Sequence, residues 1–301
     1  MQETQTIAEC RGAVAAARKA GRRIGFVPTM GGLHRGHASL IQRAREAGDW
    51  VVVSIFVNPT QFGPGEDFSA YPRAAAADAL LAREAGCDLL LCPSTAEIYP
   101  PGDQTRVVPG ALADGLCGPF RPGHFVGVCT VVAKLFGIVQ PDRAYFGQKD
   151  AQQARIIARM TADLCLPIAI EVCPIVREAD GLACSTRNQY LSAAQRAAAA
   201  SVPGALQRGA ALIAGGERRA GRIVYEMRRV LDAAGPCTVD YIAVVDPQTL
   251  EARDPVEGPV LLALAVRIGT TRLIDNLPAR PPQSADVAGA AGGYTGSQIQ
   301  T

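Results

Sequence analysis

Short apolar runs alternate with longer segments of helical period over the first 176 residues. The apolar runs are rich in Val, Ile and Leu, which is typical of strands that are covered on both faces of a parallel sheet. Strands are predicted at 24–28, 50–57, 88–92, 143–146 and 168–172, and helices at 6–20, 36–47, 73–85, 125–139 and 152–164. This alternation predicts an α/β fold with a doubly wound, Rossmann-like nucleotide-binding sheet. Its ligand should bind beyond the carboxyl ends of the strands.

The pattern changes after about residue 176, where helical segments come first and strand-like runs follow. Helices are predicted at 192–214 and 221–233, and strands at 239–245 and 259–266, with 271–274 a candidate third strand. This order indicates a smaller α+β domain. From Pro278 the chain shows no apolar period, which predicts disorder. We therefore expect a Rossmann-like domain at 1–176, a C-terminal α+β domain at 177–277 and a disordered tail at 278–301.

Composition narrows the classes of function. A chain of 301 residues with 48% hydrophobic and 19% charged residues is typical of a globular protein that needs no disulfide or metal to hold it. The formal net charge of +2 is spread without a basic block, which argues against a nucleic-acid partner. The nine cysteines form no Cys-x-x-Cys pair, and the N-terminal residues lack a signal-peptide pattern. The cysteine usage and the N-terminal residues predict a cytoplasmic location. Because the longest apolar stretch, 125–139, is shorter than a membrane span, we expect no membrane partner.

The first segment that carries chemistry lies at residues 26–40, where a predicted strand ends and a helix begins. Gly31, Gly32 and Gly36 permit close approach of the backbone, and a helix N-terminus favours phosphate oxygens. His34 and His37 are three residues apart, so both imidazoles can project from one turn towards the same anion. The alternative interpretation is a helix cap with two surface histidines.

A second strand, glycine turn and helix start is predicted at residues 142–153. Lys149 stands at the helix N-terminus, where the helix dipole disfavours a cation. A phosphate ligand at this position would account for the lysine. Asp150 fits the same site or, equally well, a simple N-cap.

Two further loops supply polar groups. Ser185, Thr186 and Arg187 place two hydroxyls and a guanidinium side by side, which suits a polyphosphate, although such a sequence is often a solvated turn. Asn58 and Gln61 follow the most hydrophobic strand, where neutral amides suit hydroxyl and carboxylate groups. An Asn-Pro turn accounts for Asn58 but leaves Gln61 unexplained.

Five segments, taken in order, resemble the pantoate–β-alanine ligases, or pantothenate synthetases, of the nucleotidylyltransferase superfamily. The resemblance runs from about residue 5 to residue 277 and rests on 28–37 (PTMGGLHRGH), 56–62 (FVNPTQF), 121–136 (RPGHFVGVCTVVAKLF), 145–153 (YFGQKDAQQ) and 185–192 (STRNQYLS). It implies a homodimer formed through the first domain, with ATP as a substrate and Mg²⁺ held largely by phosphates and water. It also implies two steps. The pantoate carboxylate attacks the α-phosphate of ATP and releases pyrophosphate, and the amine of β-alanine then attacks the pantoyl adenylate and releases AMP.

The resemblance also implies roles for individual residues. The ATP site would comprise Met30, Gly31, Gly32, Leu33, His34, Arg35, Gly36, His37, Gly147, Gln148, Lys149, Asp150, the backbone of Val176, Cys184, Ser185, Thr186 and Arg187. The catalytic residues among them would be His37, as a proton donor or equally as a hydrogen-bond donor without proton transfer, together with His34, Lys149 and Arg187. Pantoate would contact Gln61, Gln153 and Asn58, β-alanine would contact Gln61, and Arg121 and His124 are lesser candidates. The metal ligands are unknown, with Asp78, Asp88 and Asp150 as candidates.

The sequence departs from the family pattern at several positions. The family commonly has Gly-Ala where Gly31-Gly32 stands, Met-Ser-Ser-Arg at 184–187, Glu or a related residue at Gln148, and an aromatic residue at Ala151. Cys184 in place of methionine shortens a contact on the adenine side and bears on the affinity for ATP.

Three other functions compete with this interpretation. A nucleotidylyltransferase for a phosphorylated acceptor needs basic residues where the neutral Gln61 and Gln153 stand. A non-enzymatic nucleotide-binding module has no use for His37, Lys149 and Arg187 together. A nucleic-acid binder is disfavoured by the net charge of +2. Pyrophosphate release from ATP and pantoate, with and without β-alanine, discriminates among them.

Overall fold

A computed structural model describes residues 1–282 of the chain. The strands of its main sheet are β1 Gln2–Thr4, β2 Ile24–Thr29, β3 Trp50–Ile55, β4 Leu89–Leu91, β5 Arg143–Gly147 and β6 Ala169–Cys173. They pair in parallel in the order β1-β4-β3-β2-β5-β6. The chain runs outwards from β2 to one side and from β5 to the other, so the topological switch point lies between β2 and β5. This confirms the predicted doubly wound parallel sheet.

Helices cover both faces of the main sheet. They are α1 Ile7–Lys19, α2 Arg35–Glu46, α3 Ala75–Ala85, the short α4 Thr95–Ile98, α5 His124–Val139 and α6 Ala151–Asp163. Phe26 and Val27 are consecutive in β2 and therefore point to opposite faces, yet both are fully buried. Phe26 packs in the core with α1, α5 and α6, whereas Val27 packs in the core with α2 and α3. Burial on both faces explains why these strands have so few polar positions.

The C-terminal part contains three helices and an antiparallel sheet of three strands. The helices are α7 Ala193–Ala199, α8 Ser201–Ala214 and α9 Ala220–Ala233, and the strands, in sheet order, are β7 Thr238–Val245, β8 Val260–Ile268 and β9 Thr271–Ala279. Leu206, Met227 and Leu264 from these helices and strands share one buried cluster. The smaller α+β unit is confirmed, whereas the boundary between the two domains at residues 176 and 177 stays a prediction.

Some element boundaries differ from the sequence prediction. The predicted helix 192–214 is interrupted at Ala200, because Pro203 has no N–H with which to continue the ladder of α7 and fits the first turn of a new helix. The strand β1 and the helix α4, of three and four residues, are too short to give a periodic signal.

The predicted start of the tail at Pro278 is wrong, because β9 continues through Pro278 to Ala279. β9 is an edge strand, where the missing amide donor of a proline is tolerated. Pro281 is also buried. The rest of the predicted tail, 283–301, lies outside the described residues.

The apolar stretch that the sequence places at 125–139 is buried within the protein. It forms most of α5, which has 16 residues and packs against α1 and α6. Among residues 1–282, no helix combines the length and the apolar character needed to cross a bilayer.

Candidate active site

A cavity of about 210 Å³ lies at the carboxyl edge of the main sheet, beside the switch point between β2 and β5. All four polar segments identified in the sequence contribute to its wall. The predicted residues that line it are Met30, His34, Gly36, His37, Gln61, Gly147, Lys149, Asp150, Gln153, Val176, Cys184, Ser185, Thr186 and Arg187. Those that stand outside its lining are Gly31, Gly32, Leu33, Arg35, Gln148 and Asn58. The structure therefore brings together residues that are up to 157 positions apart, from Met30 to Arg187.

A buried carboxylate holds the turn between β2 and α2. Asp78, on α3, is 3% exposed and accepts hydrogen bonds from the amides of Gly32 (2.9 Å) and Leu33 (2.7 Å). Each oxygen of Asp78 therefore binds the backbone of the turn. This arrangement assigns Asp78 to the support of the turn and argues against its suggested role as a metal ligand.

His34 and His37 form a reciprocal cap at the start of α2. The amide of Gly36 donates to Nδ1 of His34 (3.0 Å), and the amide of His34 donates to Nδ1 of His37 (3.3 Å). A Cβ on residue 36 would lie 2.8 Å from the His34 ring, so the turn requires Gly36. The two imidazole centroids are 4.2 Å apart. A nitrogen that accepts a hydrogen bond carries no proton, so both rings are neutral and carry their proton on Nε2.

The electrostatic surroundings favour the same neutral state. Burial, followed by the charge of Lys149, lowers the pKa of His34 from 6.5 to about 4. Burial, followed by His34 and Lys149, lowers the pKa of His37 to about 3. A proton-donor role for His37 would call for a pKa raised by a nearby polyphosphate, whereas the protein's own groups lower that pKa. The two rings therefore present neutral Nε2–H donors.

Thr186 packs directly against Gly32. Its hydroxyl donates to the carbonyl oxygen of Gly32 (3.0 Å), and a Cβ on residue 32 would lie 2.4 Å from the Thr186 Cγ2 methyl. The resemblance to the pantoate–β-alanine ligases implies alanine and serine as the usual residues at these two positions. The additional methyl of Thr186 thus occupies the space that the missing Cβ of Gly32 leaves, and the two departures form one complementary pair.

Gly32→Ala is expected to destabilise the protein by about 2–4 kcal/mol, because the new Cβ clashes with the Thr186 methyl at a backbone φ of +60°. Adding Thr186→Ser, which removes the methyl and keeps the hydroxyl, should recover the part of the loss that is due to the clash. Urea unfolding of the wild type, both single variants and the double variant measures this coupling. Equal costs of Gly32→Ala with Thr or Ser at position 186 would contradict the pairing.

Lys149 lies in the turn that connects β5 to α6. Residues Gln148–Asp150 form one turn of 3-10 helix directly before α6. The Lys149 Nζ lies 3.7 Å from the Asp150 carboxylate, a long contact for an ion pair. Asp150 occupies the cap position but makes no capping hydrogen bond, so the simple N-cap interpretation does not account for it. Both charged groups face the cavity.

Arg187 already binds a carboxylate. Its Nε and one Nη donate to the two oxygens of Asp67 at 2.8 and 2.9 Å, and its guanidinium lies 5.8 Å from the centroid of the Tyr71 ring. Asp67 belongs to the long loop between β3 and α3. Asp67 binds the pair of parallel N–H donors on one edge of the Arg187 guanidinium, and a phosphate would bind such a pair in the same bidentate way. Arg187 can therefore use this edge for phosphate only after it releases Asp67, whereas Asp67 leaves the other guanidinium N–H groups available.

The three neutral amide side chains have two kinds of position: Asn58 supports the site from behind, whereas Gln61 and Gln153 line the cavity. Asn58 is 1% exposed; it donates to Gln61 Oε1 (3.0 Å) and to the carbonyl of Gly127 (3.1 Å), and it accepts from Tyr99 (2.9 Å). Asn58 thus orients Gln61, and its direct contact with pantoate stays a prediction. Gln61 and Gln153 both line the cavity. The Gln153 side chain makes no hydrogen bond to any other residue in the range 1–282.

Comparisons with known proteins agree with this arrangement. A family model described as pantoate-beta-alanine ligase matches residues 2–278. The chain belongs to this family. A pantothenate synthetase of Moorella thermoacetica is 54% identical over 277 residues, which are 92% of this chain and 98% of the relative. The family membership makes the chain an enzyme, a pantoate–β-alanine ligase, as the resemblance of its motifs predicted.

Solved structures of pantoate–β-alanine ligases have the same fold. The pantothenate synthetase of Thermus thermophilus matches with a TM-score of 0.87 at 46% identity, over 92% of this chain and 99% of that chain. A ligase from Francisella tularensis, solved in complex with β-γ ATP and β-alanine, matches with a TM-score of 0.77 at 33% identity, over 92% of this chain and 97% of that chain.

The lesser candidates of the ligase site, Arg121 and His124, stand beside the main cavity. Arg121 forms an ion pair with Glu66 (2.7 Å), and one of its nitrogens lies 2.8 Å from His124 Nε2. His124 Nδ1 lies 2.8 Å from the carbonyl oxygen of Gln61. Burial, followed by the charge of Arg121, lowers the pKa of His124 to about 4. These contacts fix the backbone at Gln61, which gives both residues a supporting role.

Of the suggested metal ligands, only Asp150 lies at the cavity of this ligase. Asp88 precedes β4 and therefore lies at the opposite edge of the sheet, where it binds Arg45 (3.1 Å) and the amide of Val51 (2.8 Å). Within residues 1–282, no three His, Cys, Asp or Glu side chains are grouped so that they could hold a metal ion.

Sequence reasoning missed the roles of two acidic residues of the site: it did not identify Asp67, and it considered Asp78 only as a candidate metal ligand. Asp78 and Asp67 are single carboxylates that lie far along the chain from the groups they bind. The helical position of Asp78 and the polar composition around Asp67 are ordinary for a helix and a loop. Only the tertiary fold reveals that one binds the histidine turn and the other binds Arg187.

Proposed function

We propose that this enzyme condenses pantoate with β-alanine in two steps. In the first, a carboxylate oxygen of pantoate bonds to the α-phosphorus of ATP, and the bond to the bridging oxygen breaks to release pyrophosphate. In the second, the amine nitrogen of β-alanine bonds to the acyl carbon, the C–O bond to AMP breaks, and the nitrogen loses a proton. The observation that carries the proposal is the convergence of His34, His37 and Lys149 with the neutral amides of Gln61 and Gln153 on one cavity.

The side chains on the nucleotide side of the cavity supply donors for phosphate oxygens. His34 and His37 provide two fixed Nε2–H groups, and Lys149 provides a positive charge where pyrophosphate would depart. Donors that are already oriented stabilise developing negative charge without reorganising during the reaction. Arg187 would join them through the guanidinium N–H groups that Asp67 does not engage.

The acceptor side of the cavity is uncharged, which distinguishes pantoate from a phosphorylated acceptor. Gln61 and Gln153 offer amide donors and acceptors suited to the hydroxyl and carboxylate groups of pantoate. Gln61 is 7% exposed and held by Asn58, so its orientation is set before substrate binds. We assign β-alanine recognition to Gln61 as well.

Mg²⁺ fits this site as an ion held mainly by the phosphates and by water. Asp150 is the residue that could bind it, since its carboxylate is 45% exposed, faces the cavity and makes no capping bond. When bound, the ion would offset negative charge on the phosphate oxygens.

Gln153→Ala is expected to raise the apparent KM for pantoate by about 5- to 160-fold, because it leaves a polar group of the substrate unpaired at a cost of about 1–3 kcal/mol. The KM for ATP should change much less. Steady-state kinetics with each substrate varied in turn measures both constants. A larger rise in the KM for ATP than in the KM for pantoate would indicate that Gln153 contacts the nucleotide instead.

The proposed reaction is tested by following pyrophosphate and AMP separately. ATP and pantoate alone should release pyrophosphate up to about one equivalent per site, and β-alanine should then allow turnover with release of AMP. Transfer of ¹⁸O from the pantoate carboxylate to AMP would identify the acyl adenylate. Release of ADP and phosphate would contradict this route.

We propose that the enzyme acts as a homodimer in the cytoplasm. The edge strand β6 leaves the side chain of Val172 43% exposed on the first domain, which suits contact with a second copy. All nine cysteines are free thiols, which suits a reducing compartment. Sedimentation equilibrium tests the dimer, and Val172→Glu should weaken it if β6 is the contact.

A further inference from the structure

Asn276 connects the C-terminal sheet to the turn that carries Lys149. It lies on β9 and is 3% exposed. Its Nδ2 donates to the carbonyl oxygens of Gln148 (2.9 Å) and Lys149 (3.0 Å), while its Oδ1 accepts from the Gln148 side chain (2.9 Å). The side-chain amide of Asn276 thus donates two hydrogen bonds and accepts one, all with two consecutive residues of the turn.

The residue before it connects β9 to a second loop of the cavity. Asp275 is 2% exposed and binds the guanidinium of Arg177 through both oxygens, at 2.7 and 3.1 Å. Arg177 follows Val176, and the carbonyl of Val176 accepts from the amide of Cys184 (2.9 Å). Asp275 and Asn276, consecutive residues of β9, therefore hold two cavity-lining loops: the segment after β6 and the turn after β5.

The turn itself has few other restraints. The 3-10 turn has no capping hydrogen bond from a side chain at its start, and Asp150 adds none where α6 begins. The Lys149 ammonium has only a long 3.7 Å contact with Asp150 among the described residues, so its backbone is the part of the residue that the protein holds most directly. The two bonds to the Gln148 and Lys149 carbonyls set the placement of that backbone from the opposite domain.

We propose that Asn276 is a positioning residue for the reaction: it orients Lys149 towards the phosphates by holding the carbonyls of the Lys149 turn. This inference rests on the proposed function for its kinetic consequences, whereas its effect on ATP binding does not depend on the identity of the acceptor. Asparagine is required because aspartate, of the same shape, has no donors and would place a charge against two carbonyl oxygens.

The test compares Asn276→Ala and Asn276→Asp with the wild type by single-turnover adenylation and by calorimetric titration with ATP. Both variants are expected to lose on the order of 100-fold in rate, the effect of misplacing a reacting group by about 1 Å. They should also bind ATP more weakly, with little change in the KM for pantoate. The matched control is Thr161→Val, which removes a buried hydrogen bond to Ile157 (2.8 Å) near the far end of α6. It should lower stability and leave both readouts unchanged.

The decisive measurement repeats Asn276→Ala in the Lys149→Ala background. If Asn276 acts through Lys149, the double variant should be no slower than Lys149→Ala alone. If Asn276→Ala lowers the rate by the same factor in the Lys149→Ala enzyme as in the wild type, the proposal is overturned. It is also overturned if Asn276→Ala alone keeps the wild-type rate and ATP affinity. Should the wild type bind ATP but fail to adenylate pantoate, the proposed function fails, while the ATP titrations of the single and double variants still decide the role of Asn276.

Discussion

Lys149→Ala should lower the rate of adenylate formation by about 100-fold or more, which corresponds to on the order of 3 kcal/mol. The lysine lies at the start of α6, where the helix dipole opposes a cation, and within residues 1–282 its ammonium has only a 3.7 Å contact with Asp150. A phosphate group would provide the counter-charge that the protein itself supplies weakly. Single-turnover release of pyrophosphate from ATP and pantoate measures the effect directly.

Lys19 offers a control for the loss of one positive charge. It is one of only three lysines in the chain and lies exposed at the end of α1. Lys19→Ala should retain the wild-type rate. A Lys149→Ala enzyme within a factor of about three of wild type would remove Lys149 from the chemical step, because even one preorganised donor is worth far more.

His37→Ala should lose about 100-fold in the same assay, whereas His37→Gln should stay within about tenfold of the wild type. The structure makes the ring a neutral donor: His37 Nδ1 accepts the amide of His34, and only Nε2 carries a proton. A glutamine amide can replace that donor, but it cannot deliver a proton. If His37→Gln falls as far as His37→Ala, proton transfer from His37 is required after all.

The pH dependence of kcat/KM for ATP provides a second test, since this quantity reports ionisations of the free enzyme. With a pKa lowered to about 3, His37 stays neutral well below pH 6.5, and His34, with a pKa lowered to about 4, does as well. A required imidazolium of ordinary pKa would make kcat/KM fall as the pH rises through about 6.5. We expect no such fall from either histidine between about pH 6 and pH 8.

The parts of the site that could be predicted are those whose chemistry is local in sequence. A glycine turn with His34 and His37, or a lysine at a helix start, is unusual enough to indicate phosphate binding before any fold is known. Parallel strands also place such turns at one sheet edge, so the meeting of Lys149 with the histidines follows from the predicted topology.

The remaining features depend on contacts between distant positions. Asp67 and Asn276 are ordinary loop and strand residues until the fold places them against Arg187 and the Lys149 turn. The protonation of His37 in the protein could not be predicted for the same reason, because it depends on burial and on the backbone amide of His34. Hydrophobic periodicity carries no information about such contacts.

The contact between Gly32 and Thr186 restricts the order in which evolution could have changed these two positions. Starting from the alanine and serine that the family commonly has, a threonine gained first would push its methyl against the alanine Cβ, since the corresponding distance here is 2.4 Å. Loss of the Cβ first leaves a small space that the methyl can later fill. The accessible path therefore passes through glycine with serine. Relatives with that combination should outnumber relatives with alanine and threonine, which occupy the blocked path.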